Sequence, residues 1–452
     1  MFEKIKRIHF IGIGGSGMSG IAEVLLTVGY QVSGSDLVDS SVVKYLRKLG
    51  ADISIGHSAE NIVKPHVVVV SSAIGEDNPE VIAAKKKNIP AIPRAEMLAE
   101  IMRLKYSVCV AGTHGKTTTT SMSGLVLSEA GLDPTIVIGG RLKNLKSNVR
   151  LGRGEFIVAE ADESDGSFLY YNPSIAIVTN IDNDHMEYYG TVKCLKETFV
   201  KFLNKLPFYG FSIICGDDEN VREIMPDLKR PFKSYGLNPD NDYSARSWQL
   251  YPEKTVYRAY AGDKELGEIV LPSSGKHNIM NSLAACALGL EIGIDFKLIK
   301  KALARYHGVG RRLEFTGEKN DIIFFDDYAH HPTAIDLSLR SLREIYPDRR
   351  ILVVFQPHRY SRTQDLCSLF PGSMSEADRV LITEIYAAGE CPIEGVDSEL
   401  LVRAFAQREG VSQVKKADAA AHAASYLKPG DICLTLGAGD VHRIGNEIRS
   451  ML

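Results

Sequence analysis

No stretch of this 452-residue chain is apolar for long enough to cross a bilayer as a helix, so an integral helical membrane protein is not expected. Neither sign of charge is in excess. With 53 Lys and Arg against 56 Asp and Glu, the formal net charge is −3. That balance argues against a nucleic acid or an anionic membrane surface held by bulk charge. The seven cysteines stand singly, with no Cys-x-x-Cys pair among them. Such an odd, unpatterned set fits reduced thiols better than disulfides or a structural zinc. No hydrophobic leader core or cleavage pattern precedes the first apolar run, and with the thiols this predicts a cytoplasmic protein. Internal repeats and low-complexity tracts are also lacking.

The composition that remains is ordinary for a globular protein, 44% hydrophobic and 24% charged. Its length predicts about three domains. Apolar strand-like runs alternate with helical stretches almost throughout, the pattern of parallel α/β sheets. Strands are expected near 7–13, 31–34, 52–55 and 67–71, then 156–159, 176–179 and 211–215. A more antiparallel-looking stretch covers 243–271, and strands resume near 322–326, 351–356, 380–384 and 432–436 before a final helix. A mixed-charge helical segment at 94–105 and a turn at 308–314 mark boundaries. The expected division is residues 1–104, 105–316 and 317–452, with Rossmann-like outer domains and a parallel or mixed central sheet.

The most informative run is Ser107-Val-Cys-Val-Ala-Gly-Thr-His-Gly-Lys-Thr-Thr-Thr-Thr120, a buried strand, a Gly-rich turn and a helix start. A turn of this kind aims backbone N–H groups and the positive end of a helix dipole into one concavity. Lys116 adds a cation for the β- and γ-phosphates, and the Thr117 hydroxyl suits Mg²⁺. The usual pattern places glycine where Val110 stands, so the loop that begins at Gly112 is a shortened one. The run predicts a phosphate-binding loop and use of ATP.

Other clusters also sit at strand ends. Gly12-Ile13-Gly14-Gly15-Ser16-Gly17 satisfies G-x-G-x-x-G, and Asp36 follows a second strand, as in a dinucleotide site. The physics requires only a diphosphate on a helix N-terminus and a ribose near the acid. NAD or a UDP-sugar meets that requirement, and a tight turn without ligand is the bland alternative. Glu160, Asp162, Glu163 and Asp165 follow one strand and suit a hard cation. Asp182, Asp184 and His185 repeat the arrangement after the next, with His185 a candidate ligand. His277, Asn278 and Asn281 open a small-residue helix that they could simply cap. Arg311 and Arg312 could clamp phosphate or pair with Glu314. His330 and His331 lack a third ligand at zinc spacing. Arg359 and Arg362 suit a carboxylate or phosphate.

Taken in order, six motifs resemble the Mur ligase family over essentially the whole chain: GIGGSGMSG at 12–20, GTHGKTTTT at 112–120, AEADESD at 159–165, TNIDNDHM at 179–186, DDYAHHP at 326–332 and QPHRYSRT at 356–363. The likeness is strongest to the members that join L-alanine to UDP-N-acetylmuramic acid in peptidoglycan precursor synthesis. It implies domains for the UDP-sugar, for ATP and for the amino acid, the last closing over the others. It implies that ATP phosphorylates the lactyl carboxylate and that the alanine amine displaces phosphate from the acyl phosphate.

By motif, the resemblance puts Gly112, Thr113, His114, Gly115, Lys116, Thr117 and Thr118 on the ATP phosphates, with Thr117, Glu160 and His185 on Mg²⁺ in a two-ion arrangement. His277, Asn278 and Asn281 would meet adenine and position substrate, Arg312 would reach the phosphates, and Asp327 the ribose. Tyr328, His330, Arg359 and Arg362 would build the alanine end, with both arginines on its carboxylate. Gly14, Gly15, Ser16, Gly17, Met18, Asp36, Ser71 and Ser72 would hold the UDP part. The expected partners are therefore small molecules, with no nucleic acid or membrane, and the expected state is a monomer or weak homodimer. The nearest rival is the related ligase that attaches a recycled tripeptide to the same sugar. From other classes, an NAD-dependent oxidoreductase would leave Lys116, Glu160 and His185 idle, and a nucleotide switch would bind ATP without appreciable turnover.

Overall fold

The computed structural model describes residues 6–71, 73–103, 105–138, 149–406 and 408–452. They fall into two compact units. One comprises Met1–Arg246, Arg258–Ile269 and Met280–Tyr306, and the other Ser247–Tyr257, Val270–Ile279 and His307–Leu452.

The first unit begins with β1 (Arg7–Ile11), β2 (Gln31–Asp36), β3 (Asp52–Ile55), β4 (Val67–Val70) and β5 (Ala91–Pro93). They form a five-stranded parallel sheet in the order β3-β2-β1-β4-β5. Ile8, Phe10 and Ile11 of β1 are buried, as expected of a strand covered on both faces. β1 ends at Ile11 because Gly12 takes φ +78° and turns the chain into the helix Ser16–Thr27.

The same unit continues with β6 (Tyr106–Ala111), β7 (Thr135–Val137), β8 (Val149–Arg150), β9 (Phe156–Glu160), β10 (Ile175–Val178), β11 (Phe211–Cys215) and β12 (Phe232–Gly236). With β13 (Tyr243–Leu250), β14 (Thr255–Ala261) and β15 (Lys264–Leu271) they make a ten-stranded sheet, ordered β15-β14-β13-β12-β11-β10-β6-β9-β7-β8. β6 lies between β10 and β9, parallel to both, and Val108, Cys109, Val110 and Ala111 are fully buried. The antiparallel β7–β8 pair makes the sheet mixed.

The second unit holds β16 (Glu314–Lys319), β17 (Ile322–Asp327), β18 (Ile351–Phe355), β19 (Arg379–Ile382), β20 (Val411–Gln413) and β21 (Ile432–Leu436), ordered β16-β17-β21-β18-β19-β20. Only β16, on the edge, runs antiparallel. Its interior strands read as unbroken apolar runs, such as Ile351-Leu352-Val353-Val354-Phe355, because helices cover both faces. All seven cysteines are free thiols, four of them buried (Cys109, Cys215, Cys286 and Cys433), whereas Cys194 and Cys391 are exposed. No helix among the described residues is long and apolar enough to cross a membrane.

Candidate active site

In all three sheets most of the chemistry-bearing residues follow the C-terminal ends of parallel strands, where carbonyls leave the ladder and helix N-termini begin; His277, Asn278 and Asn281 instead follow β15, and Arg311 and Arg312 precede β16. At the end of β1, Gly15 caps the helix Ser16–Thr27 without a side-chain bond, and the first turn carries no acid. Its leading amides therefore face an anion-binding position. The Gly14 N–H donates to Asp36 Oδ2 at 2.8 Å, so the acid at the end of β2 lies directly on the glycine loop. Ser71 follows β4 and its Oγ accepts from the Ala73 N–H at 3.4 Å. Met18 is 1% exposed and turns its side chain into the core. Ser72 lies outside the described residues. The sequence reading omitted Arg94, whose guanidinium packs where a Cβ on Gly17 would stand, 3.1 Å from that position.

The phosphate loop follows β6. Gly112 has φ +128°, and a Cβ there would sit 2.2 Å from Thr179 Oγ1 and 2.9 Å from the Asn180 carbonyl. Gly115, at φ +81°, caps the helix Lys116–Glu129, and a Cβ on it would sit 2.6 Å from Asn281 Oδ1. Glycine is required at both positions for conformation and for space. The loop after β10 holds this turn in shape. The His114 N–H donates to Asn180 Oδ1 (2.8 Å), Thr179 Oγ1 donates to the His114 carbonyl (2.6 Å), and the Asp182 N–H donates to Thr113 Oγ1 (2.9 Å). His114 Nε2 also meets Asp182 Oδ2 at 3.0 Å. Thr119 Oγ1 donates to Asn281 Oδ1 at 3.1 Å, which brings Asn281 to the phosphate-loop helix. Thr117 and Thr118 lie in the first turn, each 5% exposed.

Lys116 Nζ donates to the Gly112 carbonyl (2.7 Å), to the Thr113 carbonyl (3.4 Å) and to Glu163 Oε2 (2.7 Å), with Asp162 Oδ1 at 3.9 Å. Burial works against the ammonium, yet the Glu163 and Asp162 carboxylates outweigh it and hold its pKa above the ordinary value. Glu160 ends β9 half-buried, whereas Glu163 is 1% exposed. The four-carboxylate run was visible in the sequence, but nothing in it singled out Glu163 as the acid that turns inward. His185 takes φ +60° at the start of the helix Met186–Tyr189, with Asp184 Oδ2 at 3.6 Å and Glu187 Oε1 at 3.7 Å. The hard-oxygen donors fit Mg²⁺: carboxylates outnumber the single ammonium, and Glu163 Oε1 is buried without a hydrogen-bond partner among the described residues. Thr117, Glu160 and His185 are the candidate holders.

In the second unit, Asn278 Nδ2 donates to Ser273 Oγ and to the Ser274 carbonyl, both at 2.8 Å, and so closes its own turn. Burial and then the nearby Arg312 charge push the His277 pKa down to about 4, so its imidazole is neutral at pH 7. The arginine pair divides. Arg311 donates to Asp326 Oδ2 (2.8 Å) and to the Gly439 and Gly437 carbonyls (2.8 and 2.6 Å). Arg312 lies over the Tyr328 ring at 5.2 Å. Asp327 is fixed by the Ser338 hydroxyl at 2.6 Å and the Ala329 N–H at 2.9 Å.

A column of rings crosses the ends of β17, β18 and β19. Tyr328 and His330 lie 5.5 Å apart, His330 and His358 5.4 Å, and His358 stacks on Tyr386 at 5.7 Å. Beside it, Arg362 Nη1 reaches His358 Nδ1 at 3.4 Å. Arg359 takes the left-handed φ of +69°, with Glu390 Oε1 3.9 Å from its Nε. The structure thus brings Tyr328, His330, Arg359 and Arg362 into one region of this unit. His358, Tyr386 and Glu390 join them unanticipated, because only the parallel register shows which loops are neighbours.

Residues 7–106 match the profile of the Mur ligase family, catalytic domain; 110–289 that of the Mur ligase middle domain; and 311–439 that of the Mur ligase, glutamate ligase domain. The chain is 52% identical to a UDP-N-acetylmuramate–L-alanine ligase of Geobacter sp. (strain M21), over 99% of this chain and 98% of that one. It is 51% identical to the enzyme of the same description from Endomicrobium trichonymphae, over 100% of both. Among solved structures, the UDP-N-acetylmuramate-alanine ligase MurC of Thermotoga maritima superimposes with a TM-score of 0.81 at 28% identity, covering 98% of each chain. A murein peptide ligase from Psychrobacter arcticus, at 24% identity and a TM-score of 0.71, shares the fold over 98% of each chain.

Proposed function

The chain belongs to the Mur ligase family, and from that premise we infer how it works. It is an ATP-dependent ligase of peptidoglycan synthesis that joins L-alanine to UDP-N-acetylmuramate. We propose that the lactyl carboxylate is first converted to an acyl phosphate, which the alanine amine then attacks. A free carboxylate is a poor acyl donor, whereas phosphate leaves readily.

The phosphate loop supports the ATP half of this reading most directly. Its helix N-terminus is open, its glycines leave no side chain in the way, and Lys116 sits at the first helical position. Mg²⁺, when bound, would neutralise phosphoryl charge, and Thr117, Glu160 and His185 would hold it, in the proposed two-ion arrangement. Arg312 would take phosphate charge, Asp327 the ribose, and His277, Asn278 and Asn281 the adenine side. Gly14, Gly15, Ser16, Gly17 and Met18 would offer the amides of one helix start to the diphosphate of the nucleotide sugar, with Asp36, Ser71 and Ser72 around it. Arg359 and Arg362 would fork the alanine carboxylate, and Tyr328 and His330 would line its approach. Residues 1–104, 105–316 and 317–452 would carry the UDP-sugar, ATP and amino-acid parts. The expected setting is cytoplasmic, with the protein a monomer or weak homodimer.

The test is phosphate release from ATP and Mg²⁺ with UDP-N-acetylmuramic acid, with and without L-alanine. Release should depend on L-alanine and fall by at least about 100-fold in Lys116→Ala. Release supported by a murein tripeptide but not by L-alanine would instead favour the recycling ligase.

A further inference from the structure

Glu163 is not among the residues proposed to hold Mg²⁺ or a substrate, yet its carboxylate is buried beside the phosphate loop. Its side chain is 1% exposed, Oε2 accepts from Lys116 Nζ at 2.7 Å, and Oε1 has no hydrogen-bond partner among the described residues. Its main chain is braced from two directions. The Glu163 carbonyl accepts from the Gly166 N–H at 3.0 Å and from the Tyr189 hydroxyl, on the short helix that follows His185. Tyr188, the preceding residue of that helix, closes the other side: a Cβ on Gly166 would stand 2.5 Å from its hydroxyl. The carboxylate is therefore aimed by fixed supports rather than by a mobile loop.

Lys116 presents the complementary picture. An ammonium has three N–H donors, and here they meet Glu163 and the carbonyls of Gly112 and Thr113. The cation meant for phosphate is already hydrogen-bonded to its own loop. We propose that Glu163 is a positioning residue for Lys116: its carboxylate holds the ammonium down on the phosphate loop, and ATP must win the cation from it. This rests on the reading of the loop as the ATP site. A buried carboxylate stripped of its cation is costly, so the contact opposes ground-state ATP binding. Before ATP arrives, the same contact keeps the ammonium over the loop, already placed for the transferring phosphoryl group.

Glu163→Gln keeps the shape and an acceptor oxygen but removes the charge; Glu163→Asp keeps the charge and withdraws it by one methylene. Tyr189→Phe removes only the hydroxyl that braces the Glu163 carbonyl. In the full-length protein, ATP affinity is measured by titration with ATP and Mg²⁺ without other substrates, and kcat and KM with L-alanine and UDP-N-acetylmuramic acid. Glu163→Gln should bind ATP about threefold or more tighter while kcat falls about tenfold or more. Glu163→Asp should recover part of kcat, and Tyr189→Phe should shift both quantities in the same direction by less. Tighter binding with slower turnover is not what a merely structural residue produces. If Glu163→Gln does not fold, the Tyr189→Phe comparison decides. Unchanged or weaker ATP binding in the folded variants, with normal binding by the native protein, would overturn the proposal alone. Failure of the native protein to bind ATP would overturn the ATP reading and the proposal together.

Discussion

Arg311 and Arg312 show how far adjacent identical side chains diverge once their surroundings are fixed. Arg311 is committed to Asp326, itself 5% exposed, and to two carbonyls, so Arg311→Ala leaves a buried carboxylate without its cation. We expect it to lower stability by about 3 kcal/mol in denaturant titrations. Arg312→Ala should keep the native melting temperature and raise the KM for ATP several-fold; equal effects of the two substitutions would refute the division. Glu80 makes the corresponding case for pH. Burial raises its pKa, but hydrogen bonds from His9, Asn61 and Ser35 outweigh it and bring the value from the ordinary 4.5 to about 2. A carboxylate depressed in the folded state stabilises above its unfolded pKa, and that stabilisation is lost as pH falls from about 4.5 through about 2. Glu80→Gln should cost on the order of 3 kcal/mol at neutral pH and flatten the acid limb of the stability profile.

At the scale of elements, the two glycines of the phosphate loop matter because of what begins after them. Gly115→Ala places a Cβ at φ +81° and against Asn281, so the helix Lys116–Glu129 must start in a different place. The expected cost is about 1–2 kcal/mol with a parallel loss of ATP affinity, read from denaturant melts and ATP titration. The same chemistry explains which elements are legible in the sequence. Strands buried on both faces, such as β6, β18 and β21, announce themselves as apolar runs, and a turn that binds phosphate must use glycine. β5, β7 and β20 span three residues each, too few to show any period. β16 and β12 carry polar side chains on partly exposed surfaces and read as loop. Glu163 was hidden for a different reason. Which of four acids turns inward is set by Tyr188 and Tyr189, more than twenty residues later, and by Lys116, long before. Likewise, Tyr386 joins His358 only through the bridge beyond the ends of β18 and β19.

At the scale of the whole molecule, the chain divides into two compact units, and the phosphate loop lies in the first. Calorimetry should resolve two unfolding transitions, and ATP with Mg²⁺ should raise the one that contains the loop. Saturation at 100 times the dissociation constant is worth about 2.7 kcal/mol, a shift of roughly 5–10 °C for a domain of this size. Lys116→Ala should abolish the shift; an equal rise of both transitions in the native protein would mean that the units unfold as one. The distribution of thiols offers a way to watch the units directly. Burial pushes Cys215, Cys286 and Cys433 up to about 12 and Cys109 higher still, so these are poor nucleophiles toward alkylating reagents. Exposed Cys194 belongs to the first unit and exposed Cys391 to the second, next to Glu390. Cys194 and Cys391 thus give the native chain a maleimide-reactive handle on each unit; with partly exposed Cys367 replaced by serine, they can take a donor and an acceptor dye and report the distance between them through a turnover without engineering a single new cysteine.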